Sequence, residues 1–172
     1  MRRPAVVAAS SAVVALLALA CAGVAAPPPG RAAKGKPVAF TTIVQQAIPG
    51  QAGQQVRAVA RDADSWRAVW TELRKDGGEA LPAEPPAVDF PREMVLVVAM
   101  PTQSCVSKVT LQSIGHLGNP TGGTLLVNLL EAPPAPNCRC IVASRPVHAV
   151  RLPRTAGTPR FVVTRGQTSC GP

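Results

Sequence analysis

The feature that most limits what this chain can become is an apolar run, Met94-Val95-Leu96-Val97-Val98-Ala99-Met100, with no polar side chain in it. It is introduced by Val88-Asp89-Phe90-Pro91-Arg92-Glu93 and stopped by Pro101. A strand with one wet face alternates polar with apolar residues; this run does not. It is short, rich in valine and bounded by proline on both sides. Those properties predict a strand buried on both faces, around which the rest of the domain is built.

Aromatic residues make up 3% of the 172 residues and tyrosine is absent, so the core must be built from Val, Leu and Ile. Nineteen prolines and 14 glycines imply stiff, irregular connections. Val38–Ile48 and Gln55–Ala60 read as strands separated by a Pro49–Gly53 turn. Arg61–Lys75 is the one good helix: Trp66, Val69, Trp70 and Leu73 fall at i, i+3, i+4, i+7. Asp62 or Asp64 can cap it, and Gly77-Gly78 ends it. That spacing makes the two tryptophans core residues rather than a stacking site. After the apolar run come strands over Cys105–Leu117, Thr124–Leu130, Cys138–Val142, Val147–Leu152 and Phe161–Val163, with a break near Pro146. Gly118-Asn119-Pro120-Thr121-Gly122-Gly123 is a strong turn. The fold class expected is mostly β: an antiparallel sandwich or open barrel of about six to seven short strands, covered by one helix near Arg61–Lys75.

The N-terminus reads as an export leader. Met1-Arg2-Arg3 is a cationic start, and Ala5–Ala20 is an apolar core too short and alanine-rich for a membrane span. Ala18-x-Ala20 suits ordinary cleavage. Cys21, directly after the apolar core, suits a lipobox whose thiol is acylated, although Ala18 stands where a lipobox prefers Leu. The organisation expected is a signal peptide over 1–20, a tether over 21–37 rich in Ala, Pro, Gly and Lys, one β-rich domain over 38–165 and a tail over 166–172.

With Cys21 acylated, Cys105, Cys138, Cys140 and Cys170 remain, an even number suited to two disulfides in an oxidising compartment. Cys138 and Cys140 are two residues apart, which strains a direct bond. The expectation is that each pairs elsewhere, with Cys105 and Cys170. A metal site of Cys138, Cys140 and His148 has poor spacing and lacks a fourth ligand.

The net charge is +9, two units of which leave with Arg2 and Arg3. Such a charge favours anionic partners, but nucleic acid is the weaker reading, because a stacking platform needs aromatics and there are almost none. The plainest reading of the charge is a solvated basic surface. No Gly-x-Ser-x-Gly elbow or phosphate-binding glycine loop is present. His116 and His148 lie far apart in sequence, and Cys138-x-Cys140 lacks the helix N-terminus that activates a thiol. Asp89 and Glu93 read as local structure, the first holding the turn into the strand and the second pairing with an arginine. No enzyme, cofactor or small-molecule substrate is expected.

Trp66…Trp70, then Leu81-Pro82, then Val88-Asp89-Phe90…Glu93-Met94-Val95 resembles the C-terminal domain family of PrcB-type protease-complex subunits. Pro146-x-His148-x-Val150-x-x-Pro153-Arg154 is similar to that family's closing strand, and the likeness covers roughly Gln55 to Thr164. It implies an exported, often lipid-anchored accessory protein that binds or stabilises a partner in the cell envelope. Where the family often carries Pro-Thr-Gly-Gly-Tyr, this chain has Pro101-Thr102-Gln103-Ser104-Cys105. A cysteine stands at the tyrosine position, which implies that a disulfide replaces the tyrosine's packing. A second likeness rests on Asn119-Pro120-Thr121-Gly122 and Arg145-Pro146. These resemble two loop motifs of chagasin-type cysteine-protease inhibitors, whose middle glycine motif is missing here and whose usual aromatic is Val147. That likeness implies protein-binding loops at Asn119–Gly123 and Arg145–Pro146.

Overall fold

The computed structural model describes residues 35–49, 53–75, 80–105, 107–119, 122–139 and 142–170. Its strands are β1 (Lys36–Pro37), β2 (Thr41–Pro49), β3 (Val56–Ala60), β4 (Glu93–Ala99), β5 (Gln103–Ser104), β6 (Lys108–Leu117), β7 (Thr124–Ala132), β8 (Ala143–Pro153) and β9 (Thr158–Arg165). The helix α1 spans Ala63–Arg74. Two sheets form a β-sandwich. Sheet A runs β1-β6-β7-β9, and sheet B runs β2-β8-β4-β3 with β5 also paired to β8. Every pairing is antiparallel except β7 with β9, which is parallel. The chain leaves sheet A after β7, builds the centre of sheet B with β8 and returns to lie alongside β7.

The apolar run is β4, and both its faces are covered. Met94, Leu96, Val98 and Met100 pack between the sheets with Val109, Leu111, Ile114, Leu125, Val127 and Leu129. Val95, Val97 and Ala99 pack on the opposite side with Trp66, Trp70 and Leu73 of α1. The molecule therefore has three layers: sheet A, sheet B and helix. A strand shared by two cores cannot alternate polar with apolar residues, which is why β4 reads as an unbroken run. Its entry is a backbone turn, in which the Asp89 carbonyl accepts from the N–H groups of Arg92 (2.9 Å) and Glu93 (2.7 Å). Glu93 approaches Arg151 on the neighbouring strand, at 3.9 Å.

The helix begins where Asp62 forms a capping box with Ser65: the Ser65 N–H donates to Asp62 Oδ1 at 2.7 Å. Asp62, rather than Asp64, is the cap. These bonds favour the ionised carboxyl and hold its pKa below the ordinary aspartate value. A depressed pKa stabilises the fold above the carboxylate range and ceases to do so as pH falls through it. Asp62→Ala is therefore expected to lower the urea midpoint at pH 7, by an amount that shrinks towards pH 2. The two indoles are buried, yet their N–H groups are satisfied: Trp66 donates to the Pro86 carbonyl (2.9 Å) and Trp70 to that of Pro82 (3.0 Å). The proline-rich link to β4 thus serves as the acceptor strip for the helix.

Several boundaries differ from expectation. Cys138 and Arg139 belong to no strand, and β8 continues through Pro146 instead of breaking there. The proline is tolerated because β8's partner changes at that point. Ala99 pairs with Val147 and Gln103 with Ser144, so the partner strand carries one extra residue opposite Arg145 and Pro146. Within the C-terminal segment, Gly166 and Thr168 are held to sheet A. Gly166 N–H donates to the Glu131 carbonyl and Thr168 N–H to that of Pro133, continuing the line of β9. At the other end, Lys36 and Pro37 belong to sheet A rather than to a tether. Gly77-Gly78 lies outside the described residues.

Candidate functional site

The two loop motifs do not come together. Asn119, Gly122 and Gly123 lie in the β6–β7 hairpin, whose turn closes with Gly122 N–H donating to the Asn119 carbonyl at 3.0 Å. Gly123 has φ +101, and a Cβ there would fall 2.1 Å from the Leu117 carbonyl oxygen, so only glycine closes this hairpin. Pro120 and Thr121 lie outside the described residues. Arg145 and Pro146 form no loop: both are buried inside β8. The Arg145 guanidinium donates to the Gln54 carbonyl and packs on Gly53, where a Cβ would meet Arg145 Cδ at 2.5 Å. Pro146 shares its end of the sandwich with Lys108 and Val109, whereas Pro153 sits beside His116 at the hairpin end. Seven residues of strand, roughly 20 Å, separate the two ends. A single wedge made from both motifs is not what this fold builds.

Of the cysteines, Cys138 and Cys170 form a disulfide, as expected of a pair other than Cys138–Cys140. It joins the segment after β7 to the segment after β9, where Pro134 and Thr168 also bridge. Cys105 is disulfide-bonded too; Cys21 and Cys140 lie outside the described residues. Cys105 has φ +74, a conformation that favours glycine.

His148 is the functional-looking residue whose role the sequence did not reveal. It is 2% exposed and points between the sheets. The Leu111 N–H donates to its Nδ1 at 2.8 Å, which fixes the proton on Nε2; Nε2–H then donates to Thr42 Oγ1 at 3.0 Å. Leu111 and Thr42 both sit at register shifts, one in β6 and one in β2. The neutral ring thus pins together the irregular points of two strands from different sheets. Burial pushes its pKa down to about 4, and the charge of Lys108 acts in the same direction. The signal available in sequence was register: His148 alternates with the core residues Val150 and Leu152.

What remains at the surface is sheet A. None of the described elements covers its outer face. Along β7, Leu125, Val127 and Leu129 face inward while Leu126, Asn128 and Leu130 face out, half-buried. Asn128 donates to Ser113 Oγ across the strands at 2.9 Å. Leu117 (39% exposed) and Val162 (44%) add apolar surface to this face. Charge is divided between the layers. Asp62, Asp64, Glu72, Glu84, Asp89 and Glu93 all belong to the helix, its link and β4. Sheet A carries Lys36, Lys108, Arg160 and Arg165, and its one acid, Glu131, is held by Arg57 at 2.8 Å. Among the described residues no group of three or more His, Cys, Asp or Glu is placed to hold a metal ion. No described helix is long and apolar enough to cross a membrane.

Comparison of the chain with family models, with curated proteins and with solved structures finds no match.

Proposed function

We propose that this chain is a non-enzymatic, exported binding domain, anchored through an acylated Cys21, that assembles with or stabilises a protein partner in the cell envelope. The observation that carries the reading is the uncovered outer face of sheet A, with exposed Leu117 and Val162 in a layer of basic charge. An exposed sheet face of this kind suits protein contact better than catalysis. The groups an enzyme reading would need are otherwise engaged. Cys138 and Cys105 are oxidised, and both His148 ring nitrogens hold structural hydrogen bonds. The Cys138–Cys170 disulfide is compatible with an exported protein, and the resemblance to PrcB-type domains points to an envelope protease complex as the partner.

Intact-mass analysis of the mature chain tests the export half: a diacylglyceryl or triacyl increment at Cys21 together with full oxidation of the other four cysteines is expected. Cross-linking in intact cells followed by purification tests the other half. One stoichiometric envelope partner is the expected product, and a chain recovered only as an unmodified, uncross-linked monomer would overturn the proposal.

A further inference from the structure

The binding reading above leaves open where a partner docks, and the backbone of β9 answers this. β9 is the last strand of sheet A, with β7 on one side and no described strand on the other. Thr158, Gly166 and Thr168 donate their N–H groups to the Gly123, Glu131 and Pro133 carbonyls, all on the β7 side. The β7–β9 register runs without a shift from Thr158 to Arg165. Even-numbered residues of β9 therefore direct their backbone groups at β7, and odd-numbered ones direct theirs at the open edge. The odd set is Pro159, Phe161, Val163 and Arg165. Proline sits where its missing N–H removes no bond to β7. Phe161 and Val163 pack against the intersheet core, and the Arg57 guanidinium lies 5.7 Å from the Phe161 ring centre. Their outward N–H and C=O groups are thus held by anchored side chains.

We infer that this edge accepts an extended acidic segment of another protein as an added strand. β-Strand addition takes its affinity from main-chain bonds and its selectivity from flanking side chains. Here the flanking charges have one sign. Arg160 and Arg165 are exposed on the strand, Arg139 is exposed in the segment bridged to its end, and no acid occurs after Glu131. The same cations disfavour a second copy of this chain in parallel register. In-register parallel pairing sets Arg160 against Arg160, so like charges oppose it, whereas antiparallel pairing about Val162 sets Arg160 opposite Thr164 and is decided by the test below. A partner strand with carboxylates at those positions meets two or three guanidinium groups instead.

The test uses the full mature chain and three synthetic strand-forming peptides of about eight residues, identical except for Glu, Gln or Lys at alternate positions. The Glu peptide is expected to bind about tenfold more tightly than the Lys peptide, the ratio that a difference of one favourable and one unfavourable cross-strand pair gives. On binding, hydrogen exchange should slow at Phe161, Val163 and Arg165 and stay unchanged at Arg160, Val162 and Thr164. The surface variant Arg160→Glu/Arg165→Glu should reverse the peptide preference. Equal binding of all three peptides, no binding at millimolar concentration, or protection that ignores the odd–even alternation would each overturn the inference. A chain that dimerises through β9 would also overturn it. A partner cross-linked in cells with the odd-numbered amides still unprotected would leave the binding role standing and remove only this docking edge.

Discussion

Replacing Cys138 and Cys170 together by serine is expected to cost about 3 to 4 kcal/mol, as loop-closure entropy gives for a bond spanning 32 residues. The bond closes a loop that contains all of β8, the strand to which β2 and β4 both pair. Without it the unfolded chain regains the freedom to separate the end of β7 from the end of β9. The loss should also be visible locally. Gly166 and Thr168 hydrogen-bond beside the disulfide, so their amides should lose exchange protection before those of β4. Urea unfolding of the oxidised double variant against the parent measures the first effect, and native-state exchange measures the second. An unchanged midpoint would mean that the β7–β9 ladder alone holds this end of sheet A.

The second large effect depends on pH. His148 titrates near 6.5 in an unfolded chain and near 4 in the fold. Above pH 6.5 both states are neutral and folding carries no proton penalty. Between 6.5 and 4 the unfolded chain takes a proton that the folded chain refuses, so stability falls with pH; below about 4 both are charged and the loss levels off. At 1.36 kcal/mol per unit the whole loss is about 3 kcal/mol. His148→Leu removes that dependence while leaving the Leu111 N–H and the Thr42 hydroxyl without their partner, a cost of about 2 kcal/mol at pH 7. The two stability curves should therefore converge on acidification and cross near pH 5, where the parent has lost about 2 kcal/mol. Carboxylates elsewhere titrate identically in both proteins, so the difference isolates the histidine. Parallel curves would mean that the ring is protonated, or reached by water, in the fold.

The parts of the fold legible in the sequence are those written in local periodicity. β4 announced itself because a strand between two cores has no polar position to spare, and α1 because its tryptophans repeat at helical spacing. The β7–β9 pairing was not legible: nothing in Thr158–Arg165 distinguishes a parallel neighbour from an antiparallel one. Pro146 misled for a physical reason. Proline reads as a strand breaker, but here its partner strand bulges, so a missing N–H removes no ladder bond. The burial of Arg145 was not legible, because charged side chains are rarely fully buried; the approach of Gly53 makes room for it. The hairpin glycines were legible as a turn, since Gly118 and Gly123 adopt the positive φ values that glycine supplies.

The position of β8 at the middle of sheet B has a consequence for how the chain can come to exist. β2 and β4 are complete once residue 99 has been made, yet neither neighbours the other; both wait for β8, which ends at Pro153. Until then the all-apolar run Met94–Met100 has no strand to sit beside on one edge. A polypeptide emerging from its N-terminus thus joins the two halves of sheet B only when its final quarter arrives. Such a schedule leaves Met94–Met100 as the segment most in need of shielding until β8 arrives.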